Sequence, residues 1–112
     1  MSKNTENQIQ QGDVIGKRIM SLPSTAKLRN ADPRGLVLAE GEMSGHFHAV
    51  AGETGVNLYE NGKTLILENT TDHEVVITHQ EHNPVKVPPG IFEFGQVQEF
   101  DYFQEAARQV RD

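Results

Sequence analysis

Four of the five histidines in this chain fall into two close pairs, and no other group of residues offers comparable chemistry. His46 and His48 end the stretch Gly41-Glu-Met-Ser-Gly-His-Phe-His48, and His79 and His82 lie in Thr78-His-Gln-Glu-His-Asn-Pro84. On an extended segment, side chains two residues apart share a face, so both imidazoles of the first pair point one way, with Glu40 and Glu42 at the same parity. Two such imidazoles suit adjacent positions on Zn, Fe, Mn or Ni, and His79 and His82 are candidates for the rest of the shell. Four bound imidazoles would make a closed, structural site, whereas three with a water would make an open one capable of catalysis. Because the chain has no cysteine, any metal must be held by histidine and carboxylate groups.

A metal-free use of the same residues stays open. Glu42 beside His46 or His48 would raise the imidazole pKa and orient its tautomer, giving an acid and base pair. No nucleophile accompanies it. Ser44 lacks the strand, turn and helix elbow of a serine hydrolase. Glu81 reads as a solvated carboxylate, and Phe47 and Ala49, on the face opposite the imidazoles, read as the residues that anchor their strand in a core.

The elements around these pairs are short strands. Residues 1–10 are polar, with Ile9 the only sizeable aliphatic after Met1, and read as a disordered tail, leaving 11–112 as a single β domain. Gly12 and Asp13 mark a turn into a strand over Val14–Met20 that Gly16 weakens or bulges. Residues 21–34 read as a loop with a short strand or turn near Lys27–Arg29, followed by strands over Gly35–Glu40 and His46–Val50. Asn61-Gly62, between two β-prone runs, predicts a hairpin whose two central residues take positive φ. His73, Val75, Ile77 and His79 alternate onto one face, which puts His79 in line with an apolar stripe. After Pro88-Pro89-Gly90 comes a strand with Phe92, Phe94 and Phe100 in the core. A short C-terminal helix over Tyr102–Val110 is expected, with Asp101 as N-cap. The expected fold is therefore all-β, a small barrel or sandwich of about seven or eight strands with one short helix.

Composition narrows the function classes. The formal charge is -6, and residues 35–112 hold thirteen acidic but only four basic groups, which disfavours a phosphate backbone as partner. With no basic head and apolar core at the start and no apolar run long enough to span a bilayer, the reading is a cytoplasmic protein with neither nucleic-acid nor membrane partner. Short strands with a thin core leave sheet edges to protect, and a homo-oligomer is one way to do so.

Gly41, His46, His48 and Glu53 stand in the order of the first cupin motif, and Pro88-Pro-Gly-Ile-Phe-Glu93 resembles the second, with Glu93 where a ligand histidine belongs. That resemblance implies a small β-barrel in which His46, His48 and Glu53 bind metal, with Glu93 or His79 completing the set. Gln11-Gly-Asp-Val, Ala39-Glu-Gly-Glu, Gly45-His-Phe-His and His79-Gln-Glu-His-Asn-Pro also resemble small bacterial and phage-associated proteins of no assigned function. Three functions are open at this point: a metal protein acting on a small polar molecule, a non-catalytic assembly module, and a metal-free binder of a sugar or small acid.

Overall fold

The computed structural model describes residues 7–40 and 45–96. Over these residues the chain is all-β, with ten strands: β1 (Gln8–Gln11), β2 (Val14–Ile19), β3 (Lys27–Arg29), β4 (Leu36–Glu40), β5 (Phe47–Val50), β6 (Val56–Asn61), β7 (Thr64–Asn69), β8 (Val75–Thr78), β9 (Val85–Val87) and β10 (Gly90–Gln96). A six-stranded sheet in the order β1-β2-β10-β7-β6-β3 faces a four-stranded sheet in the order β4-β5-β8-β9, and every pairing is antiparallel. Of the two expected architectures this is the sandwich, not a closed barrel. The expected helix over 102–110, and with it Asp101 and Phe100, lies outside the described residues, as do Gly41, Glu42, Met43 and Ser44.

Period-two alternation explains which side of each sheet is apolar. Ile9, Val14, Val56, Leu58, Leu67, Phe92 and Phe94 of the larger sheet meet Leu36, Leu38, Val50, Val75, Ile77, Val85 and Val87 of the smaller one in a single core. Phe92 and Phe94 are buried as expected. Leu36 and Leu38 join this core at the expected period, and a register shift against β5 between Val37 and Ala39, a bulge at Leu38, lets Ala39 pack against it as well.

Two findings differ from the expectation. The stretch read as a tail contributes β1, because Ile9, opposite Gly16 and only 1% exposed, gains enough burial to order its neighbours. In the β6-β7 hairpin Asn61 pairs with Thr64, so the loop residues are Gly62 and Lys63 rather than Asn61 and Gly62. Gly62 has φ 64° and no non-glycine among the described residues has positive φ, which is the glycine-first form of the two-residue turn. The β1-β2 hairpin is built the same way, with Gln11 opposite Val14 and Gly12 at φ 60°.

Gly16 serves packing rather than a bulge. A β-carbon there would lie 2.3 Å from the ring of Phe94, the residue opposite it on β10, so the ring occupies the space over the glycine. Gly16→Ala should therefore push a buried aromatic ring out of place and cost about 1–3 kcal/mol in urea denaturation. A stability within a few tenths of wild type would contradict this packing.

Candidate functional site

Three core-facing rows exchange apolar side chains for polar ones at the same end of the sandwich. On β1 the buried positions are Ile9 and then Gln11; on β5 Val50 is followed inward by His48; on β8 Val75 and Ile77 point inward and His79 follows at the same parity just past the strand. The imidazole side of β5 thus joins Val50 in the core, which was not expected, while Ala49 on the opposite face is buried as expected. His48 is 3% exposed, while Phe47 is half-buried beneath the Arg34 guanidinium, 5.1 Å from its ring centroid.

Gln11 decides the state of His48. Its amide nitrogen donates to the carbonyls of Ile77 (3.0 Å) and Asn83 (2.9 Å), using both amide hydrogens. The amide cannot be reversed without losing both bonds, so Oε1 faces His48 Nδ1 at 2.8 Å and accepts a hydrogen bond from its N–H. A neutral His48 is thereby fixed in its Nδ1–H tautomer, with the Nε2 lone pair free and 3.8 Å from Asp13 Oδ1. Metal-bound histidines are oriented in this way, with the non-ligating N–H given to a carbonyl or carboxylate. At the other end of the core the buried amide of Asn69 also ties the sheets, donating to the carbonyls of Val87 and His73, but its oxygen accepts from Thr71. Of these two buried amides, Gln11 is the one that spends its oxygen on an imidazole.

The turn after β8 brings in the second pair. His79 Nδ1 accepts from the backbone N–H groups of Glu81 (3.0 Å) and His82 (3.3 Å), and Gln80 Oε1 accepts from the Phe47 N–H (2.8 Å) at the start of β5. His82 then packs on the β1-β2 turn, where a β-carbon on Gly12 would stand 2.5 Å from His82 Nε2. The His79 ring centroid lies 4.4 Å from that of His48, 4.6 Å from His82 and 5.7 Å from His46, and the His82 ring is stacked on His48 at 5.9 Å. All four imidazoles of the two pairs therefore meet, although they come from segments more than thirty residues apart.

Two carboxylates border them: Asp13 by His48, and Glu81 with Oε2 3.8 Å from His46 Nε2. Burial, and then the neighbouring His79, lower the His48 pKa to about 4, with His82 adding to the effect and Asp13 opposing it. Burial and the neighbouring His82 and His46 lower that of His79 as well. A base of pKa about 4 has little driving force to take a proton near neutral pH, but its lone pair is fully available to a cation. Among the described residues no three His, Asp or Glu side chains are already gathered as an ion would gather them. The rings lie against one another instead.

The carboxylates singled out beside the histidines have other partners. Glu53 bonds His73 Nε2 at 2.9 Å, and Glu93, inside the larger sheet, accepts from Thr64 Oγ1 at 2.6 Å. Glu40 pairs with Arg34, and Glu42 lies outside the described residues. Gln11 and Asp13 are the site residues that sequence reasoning missed, and the alternation of Gln11 with Ile9 was the one signal pointing to the first. A hollow of about 390 Å³ lies apart from the imidazoles, beside the β6-β7 hairpin, lined by Arg29, Lys63, Thr64, Leu38, Leu65 and Phe94 among others.

A family model described as a domain of unknown function (DUF8820) matches residues 10–96. The chain belongs to this family. The DUF8820 span includes Gln11, Gly12, Asp13 and all four clustered histidines, so the whole site falls inside the family domain. No curated protein and no solved structure matches the chain. Among the described residues of this DUF8820 domain no helix is long and apolar enough to cross a membrane.

Proposed function

We propose that this DUF8820 domain binds one divalent transition-metal ion at the imidazole end of its sandwich. The observation that carries the reading is His48: a buried, neutral imidazole whose Nδ1–H is committed to a fixed amide and whose Nε2 lone pair is left over. That lone pair sits at the polar end of the core rather than sealed inside it, and the groups around it are further imidazoles and two carboxylates, the donor types a transition metal takes. His46 and His82 complete a three-imidazole set with His48, and Asp13 or Glu81 supplies a hard oxygen donor at its edge. His46 is half-buried and His82 exposed, so their rings turn to an ion while His48 stays fixed. Because Gln11 and the Asp13 of its turn belong with one sheet and the histidines with the other or its turn, the ion would clip the two layers together.

Zinc at about a hundred times its Kd should stabilise the chain by about 2.7 kcal/mol and raise Tm by about 10 °C. His46→Ala with His48→Ala should abolish the shift. An equal shift in wild type and double variant would place the ion elsewhere and refute the assignment.

A second reading, a homo-oligomeric assembly module, is supported by Met20 and Leu28, which are 97% and 66% exposed, the latter on the edge strand β3. It expects self-association that does not depend on metal. Sedimentation of the chelator-treated chain as a monomer at micromolar concentration would remove it.

A further inference from the structure

We infer that His79, although central among the four imidazoles, is the cap of the turn that presents His82 and is not itself a metal ligand. The inference rests on the metal reading above for the word ligand, but the capping role stands on geometry alone. Nδ1 of His79 accepts two backbone N–H groups, from Glu81 and His82. A nitrogen that accepts carries no proton, so the neutral ring holds its hydrogen on Nε2. This is the opposite tautomer to that of His48, whose Nδ1 donates to Gln11. In His48 the outward nitrogen is a lone pair. In His79 the lone pair is already used within the turn, and the remaining nitrogen is a donor.

Turning the ring over to free a lone pair for an ion would place a carbon where the two N–H groups now find an acceptor, leaving both without it. The turn has little to replace that acceptor, since its other fastenings are at its ends: Gln80 to the Phe47 N–H and the Asn83 carbonyl to Gln11. The side-chain acceptor of residue i bonding the N–H groups of i+2 and i+3 is what Asn and Asp supply at turns and helix starts. His79 does the same with an imidazole. The consequence for the site is a ligand set of His46, His48 and His82, with His79 acting through the place it gives His82 against Gly12 and His48.

Asparagine separates the two roles, because its Oδ1 occupies the position of Nδ1 and restores the cap while removing the imidazole. In the full-length chain, His79→Asn should keep the metal-free Tm of wild type and bind zinc with a Kd within about threefold of it. His79→Ala should lower the metal-free Tm and weaken zinc binding by about 10–100-fold, as loss of an orienting residue does. Long-range proton–nitrogen spectra of the metal-free wild type should show His79 protonated on Nε2 and His48 on Nδ1. A His79→Asn variant that binds zinc as poorly as His79→Ala, or a His79 ring protonated on Nδ1, would overturn the inference. If wild type binds no zinc the metal reading fails by itself, and the spectra together with the two metal-free melting temperatures still decide whether His79 is the cap.

Discussion

Replacing Gln11 with leucine should destabilise the metal-free chain by about 3 kcal/mol and weaken zinc binding by about 10–100-fold. The side chain is 3% exposed and makes three hydrogen bonds, two given to the four-stranded sheet side and one taken from His48. Leucine fills the volume, but the buried Nδ1–H of His48 is then left without an acceptor, a loss of about 1–3 kcal/mol beside the two amide bonds. The Ile77 and Asn83 carbonyls suffer less, since Ile77 remains paired with Val50 and Val85 in the sheet and Asn83 is exposed to water. The effect on zinc follows from tautomer: without Gln11 nothing holds the proton on Nδ1, and a His48 protonated on Nε2 offers the ion no lone pair. Urea denaturation with and without chelator, together with a zinc titration, measures both quantities. A Gln11→Leu chain as stable as wild type would show that the amide does not govern the site.

Lowering the pH should unfold the metal-free protein progressively through the loss of His48. Its pKa is lowered to about 4 in the folded state, against 6.5 for an ordinary histidine, because burial and then His79 disfavour the cation. As pH falls below about 6.5 the unfolded chain takes up this proton and the folded chain does not. The contribution is therefore complete above about 6.5 and is lost between there and about 4, to an extent of about 3 kcal/mol for a group so little exposed. His79, whose pKa is lowered too, adds to the same slope. His73 works in the opposite sense: Asp72 and then Glu53 raise its pKa, so whatever it contributes is present at acid pH and is lost as pH rises through the raised value. That pair is on the surface and screened by solvent. Denaturation across this range, with the ring resonances of His48 followed in parallel, checks the claim. A His48 that titrates near 6.5 with no loss of stability would contradict it.

Strand positions were legible in the sequence because each strand alternates or is bounded by glycine and proline, and Val75, Ile77 and His79 were placed on one face by that rule alone. The parts that were not legible share one physical cause, which is that pairing partners decide them. Ile9 looks too isolated to order its neighbours until Gly16 opposite and the core beneath are known. Asn61 and Gly62 offer two hairpin registers, and the partners of β6 on β7 select the one with glycine first. The side of β5 that faces the core could not be read from Phe47, since an aromatic ring finds adequate cover under Arg34 while His48 follows Val50 inward. For the site, the two histidine pairs were visible as residue types with spacing. Glu53 and Glu93 matched a motif by order alone; the connection after β5 carries the first to His73 and β10 carries the second to Thr64. Gln11, signalled only by its alternation with Ile9, and Asp13 were missed, because what makes them part of the site is a hairpin meeting a turn about seventy residues later in the chain.

Calorimetric titration of zinc into the untagged full-length chain at neutral pH tests the metal reading most directly. The account predicts saturation at one ion per chain, and loss of that binding when His48 alone is replaced with alanine. Absence of saturable heat in the wild type, with Tm unchanged in excess zinc, would contradict it.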